Sequence, residues 1–269
     1  MKYLKSLLAI GSLTALAVCL ACAPSEQASD EAAADGAAAD EAAADEAAAD
    51  ASAESQAPVP VDPASPNARY YTPDGREAAM SAFEEDDRET WQHSEEILAA
   101  LALEPGMTVA DVGAGTGYFT RQIAPQIAPG GVVLAVDIIP EFLEDLERRV
   151  GELGITNVET VLSRADSPML PDGSVDLIFI SDTYHHFDQP GPMLEGLRAA
   201  LRPGGRMAIV DWERQPNPLF ERDGLDWESH IRIGSQGVIE QVTQHGFRLL
   251  EQYDFMEWQY FLIFERGEE

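Results

Sequence analysis

Asp111-Val112-Gly113-Ala114-Gly115-Thr116-Gly117 places three alternating glycines directly after a short apolar run and ahead of a helical one. Glycine tolerates positive φ and has no Cβ, so a ligand can lie against such a turn without meeting side chains. Twenty residues beyond Gly117, where the next apolar run ends, stands Asp137. A carboxylate at that point can accept two hydrogen bonds from the vicinal hydroxyls of a ribose. Turn and acid together point to a nucleoside. The spacing G-x-G-x-G departs from the dinucleotide fingerprint, because Tyr118 follows Gly117, and no Gly-Lys-Ser or Gly-Lys-Thr of a P-loop follows. Asp111 has a second reading, as a cap for the turn that follows it.

A second chemical cluster is Asp182-Thr183-Tyr184-His185-His186-Phe187. Imidazole titrates near neutral pH, so His185 or His186 is a candidate general base, with Asp182 beside them; local packing or hydrogen bonding is the alternative. No metal is expected, since the sequence shows no third ligand at a suitable spacing from the two histidines. Two irregular stretches carry aromatics suited to an apolar pocket or a lid. One is Asn67 to His93, with Tyr70, Tyr71, Phe83 and Trp91. The other is Asp211 to Gly234, with Trp212, Phe220, Trp227 and His230. Ordinary core is the alternative for each of these side chains.

The elements that must position these groups alternate in type. Glu95 to Leu103 has helical apolar spacing after a possible cap at Ser94, and Pro105-Gly106 ends it. Strands are expected at 108–112, 132–136, 158–162, 175–180 and 206–210, with helices at 118–128, 140–153, 193–201 and 238–245. Pro203-Gly204-Gly205 forms the turn before the fifth strand. Val175 to Ile180 is almost unbroken apolar sequence, which suits a sheet covered on both faces. Phe247 to Tyr253 and Gln259 to Phe264 are joined by a short link and form an antiparallel hairpin. The fold class is therefore α/β, a three-layer doubly wound, Rossmann-like sheet of about seven strands, mostly parallel with an antiparallel C-terminal strand.

The glycine-rich bend resembles the first motif of the class I S-adenosylmethionine-dependent methyltransferases, and the resemblance extends over nearly all of residues 90–269. Asp137 matches that family's ribose-binding acid, and Arg164-Ala165-Asp166 its adenine-contacting position. Asp176 to Ser181 matches its fourth-strand motif, and Leu201 to Gly205 the turn before its fifth strand. Within the family, the chain looks most like the small-molecule group that includes quinone-biosynthesis enzymes. The resemblance implies S-adenosyl-L-methionine as cofactor. Asp111 would orient its methionine end, Gly113, Ala114, Gly115 and Gly117 would admit it, and Ile138 would cover the adenine. Ala165, Asp166 and Ser181 complete the implied cofactor set. A loop acid is the plainer reading of Asp166. The implied reaction is methyl transfer by in-line displacement to a small-molecule acceptor. A non-catalytic exported module that binds a nucleoside or another small ligand is the alternative.

The 269 residues include 48 Asp plus Glu and 17 Lys plus Arg, a formal net charge of −31, so nucleic acid is not an expected partner. Residues 67–269 hold 37 acids and fifteen bases, all of them arginine. Lys2 and Lys5 precede an apolar run, Leu7 to Leu20, with the length of an export signal. Cys19-Leu20-Ala21-Cys22 then resembles a bacterial lipoprotein box, implying membrane attachment through lipidated Cys22. Cleavage after Ala23 with secretion, or an uncleaved anchor, are the other readings. Residues 1–22 are thus read as signal peptide and lipobox, 23–66 as an acidic, Ala-rich and Pro-rich linker, and 67–269 as the folded domain. As a flexible coil the linker would span roughly 35 Å. The protein is expected to be exported, either anchored in the periplasm or at the cell surface, or secreted. Both cysteines lie in the leader, which excludes disulfides, thiolate zinc and cysteine nucleophiles from the folded part.

Overall fold

The computed structural model describes Ser65 and residues 67–267; the expected export signal, lipobox and almost all of the linker lie outside the described residues. A single 3-10 turn, Ala68–Tyr71, leads into α1 (Pro73–Ala82), α2 (Glu89–Gln92) and α3 (Ser94–Ala100). Then follow β1 (Thr108–Val112), α4 (Thr120–Gln126), β2 (Val132–Asp137), α5 (Pro140–Glu152), β3 (Val158–Leu162) and β4 (Val175–Ser181). After a 3-10 turn at Tyr184–His186 come α6 (Pro190–Ala200), β5 (Leu201–Trp212), α7 (Pro218–Arg222) and α8 (Trp227–His230). The chain closes with α9 (Ser235–Gln244), β6 (Phe247–Tyr253) and β7 (Gln259–Arg266).

The seven strands form one sheet in the order β3-β2-β1-β4-β5-β7-β6. β1 pairs in parallel with both β2 and β4, and β7 runs antiparallel between β5 and β6. Strand alternation divides the core into two halves. Ala110, Ile178, Ile180 and Ile209 face α6 and α9, whereas Val109, Val133, Leu177 and Phe179 face α3 and α4. Burial on both faces explains why β4 reads as continuous apolar sequence. On α5, Phe142, Leu143, Leu146 and Val150 are buried, while Arg148 bonds to Asp145 and Glu152 on the solvent face. The connection from β3 to β4 crosses back over β1. The C-terminal ends of β1 and β4 therefore diverge and leave a crevice at the switch in strand order.

Several element boundaries differ from the sequence expectation, and three of the differences bear on the site. Ser94 does not cap α3 but begins it, after His93 in the left-handed region (φ 55°), and the Ser94 hydroxyl is taken by Glu89. Helix α4 starts at Thr120, because the bend continues through Gly117 (φ 84°). Strand β5 begins at Leu201, with Gly204 at φ 77° producing a bulge opposite β4 in place of a separate turn.

Candidate active site

At the end of β1, Gly113 and Gly115 both have positive φ (76° and 54°), and their backbone lines the crevice. The two are bare for different reasons. A Cβ on Gly113 would stand 2.2 Å from the Thr183 side chain, so the site needs glycine for its own packing. A Cβ on Gly115 would instead stand 3.2 Å from the Phe83 ring, which lies across the crevice. Gly117 does not line the crevice; a Cβ there would meet Leu146 of α5 at 2.7 Å. The expectation that Gly117 admits a ligand is corrected accordingly, and its role is the close approach of the bend to α5.

Asp137 closes the bend from the tip of β2. Its Oδ2 accepts from the Gly115 N–H and its Oδ1 from the Ile139 N–H, both at 2.9 Å. Each oxygen retains a free lone pair for a hydroxyl donor. Burial pushes this carboxyl up to about 6, against the pull of those backbone N–H groups. Asp111 is likewise buried and raised to about 6, with the Thr120 hydroxyl donating to its Oδ2 at 2.5 Å. Ala114, Ile138, Ala165 and Ser181 also line the crevice. Asp166 does not: it is exposed, in a turn closed by the Arg164 N–H donating to the Ser167 carbonyl at 2.9 Å. Of the expected adenine-contacting segment, Arg164 and Ala165 line the crevice and Asp166 does not.

The segment before β1 folds over this bend. Glu84 accepts from the Thr116 hydroxyl at 2.6 Å and from Arg121 through both oxygens at 2.6 and 2.7 Å. Phe83 packs edge-on against Phe142, with Tyr70 alongside both. The second irregular stretch joins the cover, since Arg222 of α7 bonds to Glu85 and to Asp87. Tyr70, Phe83, Trp91, Trp212, Phe220 and His230 line the cavity, whereas Tyr71 is exposed and Trp227 lies outside it.

Beyond β4 the cluster has a definite order. Asp182 adopts φ 52°, and its carboxylate accepts from Arg88 at 3.1 Å, from Gln92 at 2.7 Å and from Gln259. It anchors this turn and also lines the cavity. His185 is buried; its Nδ1 lies 2.7 Å from Asp211 Oδ1, and its backbone N–H donates to Asp211 Oδ2 at 2.9 Å. Asp211, on β5, also accepts from the Trp212 N–H at 2.7 Å. A carboxylate only accepts, so the His185 Nδ1 carries the proton and Nε2 offers its lone pair. The neighbouring rings are His186, at 4.0 Å between centroids, and His230, at 5.0 Å. Burial, followed by the adjoining positive charges, holds His186 well below the ordinary imidazole range and His230 at about 3.

His230 also overturns the expectation that the histidine pair lacks a third nitrogen. The three residues bring one ligand atom each within 4.8 Å of one another. Zinc ligands at Zn–N distances of about 2.0–2.1 Å sit closer together than that limit requires.

Residues 110–207 match the family model described as a methyltransferase domain. That stretch includes the bend, Asp137 and the two histidines. The strand order with its inserted antiparallel β7 decides the class. The fold is that of a Rossmann-like methyltransferase. A solved S-adenosylmethionine-dependent methyltransferase from Aquifex aeolicus is 25% identical, with a TM-score of 0.64 over 70% of this chain and 97% of that one. An S-adenosyl-L-methionine-dependent Diels-Alderase of Talaromyces variabilis is 28% identical, covering 70% of this chain and 64% of its own. A ubiquinone/menaquinone biosynthesis C-methyltransferase of Hahella chejuensis is 27% identical over 54% of this chain and 58% of its own. The chain thus spans less than two thirds of the length of these two curated relatives. The likeness implies S-adenosylmethionine as cofactor, and the crevice fits it in its polar groups: the backbone of Gly113 and Gly115 lines it, and Asp137 keeps a lone pair free on each oxygen.

Proposed function

We propose that the protein transfers the methyl group of S-adenosylmethionine to a hydroxyl or acidic carbon of a small molecule, with His185 as the general base. The observation that carries this reading is the His185–Asp211 pair at 2.7 Å, beside the donor crevice. When bound, the cofactor supplies a sulfonium methyl group open to in-line displacement. Asp137 would hold the ribose hydroxyls, Asp111 the methionine end, and Gly113, Ala114, Gly115, Ile138, Ala165 and Ser181 the surrounding wall. Asp211 fixes the His185 ring and its tautomer, so that Nε2 takes the acceptor's proton as the nucleophile engages the methyl carbon. His186 and His230, kept neutral by burial, add no charge to repel a sulfonium. The aromatic cover excludes water that would compete for the methyl group.

A strong base is superfluous for an amine or thiolate acceptor, which is why the dyad favours oxygen or carbon. The proposal extends to location: the domain is held outside the cytoplasm by lipidated Cys22 and the linker of about 43 residues. The support for that part is the leader sequence alone. Calorimetric titration of the full chain with S-adenosylmethionine and S-adenosylhomocysteine tests the core of the reading. Micromolar or tighter binding of both supports it, and the absence of heat with either ligand refutes it.

A further inference from the structure

The arginines around the cavity pair with carboxylates or face water, except one. Arg88 pairs with Asp182, Arg222 pairs with Glu85, Asp87 and Asp223, and Arg164 is exposed. Arg69 lines the same cavity, is only partly exposed, and makes no ion pair among the described residues. Its Nε is buried without a hydrogen-bond partner. In a folded part where 37 acids outnumber fifteen arginines, a half-buried guanidinium without a carboxylate is unusual, and leaving its buried Nε unsatisfied is costly.

Its position is on the histidine side of the cavity. The guanidinium carbon lies 4.9 Å from the Tyr70 ring centroid. The Tyr70 ring is 5.4 Å from His186, and its hydroxyl lies 3.4 Å from His186 Nε2. After burial and the neighbouring imidazoles, the charge of Arg69 helps to hold His186 below its ordinary range; it does the same at His230.

We propose that Arg69 receives an anionic group on the methyl acceptor, a carboxylate in the simplest case, while Tyr70, Trp212 and Phe220 take its apolar body. A planar guanidinium offers parallel N–H donors that match a carboxylate, and an apolar surround strengthens the pair. The acceptor class is then a small aromatic or lipophilic acid whose nucleophile reaches His185. This inference rests on the methyltransferase reading, with the guanidinium assigned to the acceptor and not to the donor's own carboxylate.

The test uses the full chain saturated with S-adenosylhomocysteine and titrated with benzoate and with its neutral isostere benzamide, read by calorimetry. Wild type is expected to bind benzoate at least about tenfold more tightly than benzamide. Arg69→Gln should erase that preference while leaving affinity for S-adenosylhomocysteine within twofold, and Arg69→Lys should retain part of it. Equal affinities in wild type, binding of neither compound, or a preference that survives Arg69→Gln overturns the proposal. A loss of tenfold or more in S-adenosylhomocysteine affinity in Arg69→Gln also overturns it, by assigning the guanidinium to the donor. Failure of wild type to bind S-adenosylhomocysteine at all removes the methyltransferase reading itself, a result distinct from the others.

Discussion

Replacing Asp137 by asparagine separates ligand binding from folding at one atom. Both carboxylate oxygens accept a backbone N–H at 2.9 Å, so the amide nitrogen of asparagine must face either Gly115 or Ile139, donor to donor. That leaves one buried N–H unsatisfied, at a cost of about 1–3 kcal/mol. Against this, the native carboxyl titrates at about 6 in place of 3.8 because it is buried. Ionising it at neutral pH therefore costs about 3 kcal/mol, which asparagine avoids. The two effects offset, and the unfolding free energy of Asp137→Asn should stay within about 2 kcal/mol of wild type. Donor affinity should behave differently. One ribose hydroxyl loses its charged acceptor, worth about 1.5–3 kcal/mol, or about 10- to 150-fold in Kd.

The pH dependence has opposite signs for the two properties. A buried carboxyl raised from 3.8 to about 6 contributes to stability below pH 3.8 and loses that contribution as pH rises through about 6. Binding needs the ionised form, so affinity for S-adenosylhomocysteine should tighten with pH through the same window, and Asp137→Asn should make the profile shallower, leaving the part that Asp111 contributes. Calorimetric titration at pH 5, 6 and 7, with denaturant unfolding alongside, measures both properties. Unchanged affinity in Asp137→Asn, or an equal pH profile in the two proteins, would refute the assignment of Asp137 to the ribose.

Other outcomes follow from the same geometry. His185→Ala and Asp211→Asn should each lower turnover of a hydroxyl acceptor by about 10²–10⁴-fold while leaving S-adenosylhomocysteine affinity within twofold; steady-state rates and calorimetry together check this. Gly113→Ala places a Cβ 2.2 Å from Thr183, whereas Gly106→Ala meets nothing within 4 Å although its φ is 90°. The first should destabilise by about 2–4 kcal/mol and the second by about 1, as read by chemical unfolding. Cys22→Ser should move the protein from the membrane fraction to the soluble fraction of an expressing bacterium; an unchanged distribution would dismiss lipidation at that residue.

What could be read from the sequence was local. The bend, Asp137 and the strand-helix alternation are encoded by neighbours along the chain, and each appears where its residues placed it. The antiparallel β7 followed from two apolar runs with a short link. The unread parts depend on distant contacts. Gly117 and Gly113 look alike in sequence, yet Leu146 and Thr183, which dictate them, come from other elements. Asp211 closes the dyad with His185 across two strands, and its only sequence signal was an acid at the end of the fifth apolar run. His230 reaches the histidine pair from α8, which no fixed spacing announces. Nothing in the sequence singles out Arg69 or Arg88, whose half-buried and buried positions come from the fold.

The most direct measurement is a crystal structure of the full chain bound to S-adenosylhomocysteine. The ribose hydroxyls should lie within 3.2 Å of the Asp137 carboxylate, with the adenine against Ile138 and the sulfur turned toward the side that holds His185. Ligand bound elsewhere, or an Asp137 carboxylate rotated away from the ribose, would contradict the donor crevice and with it the proposed transfer.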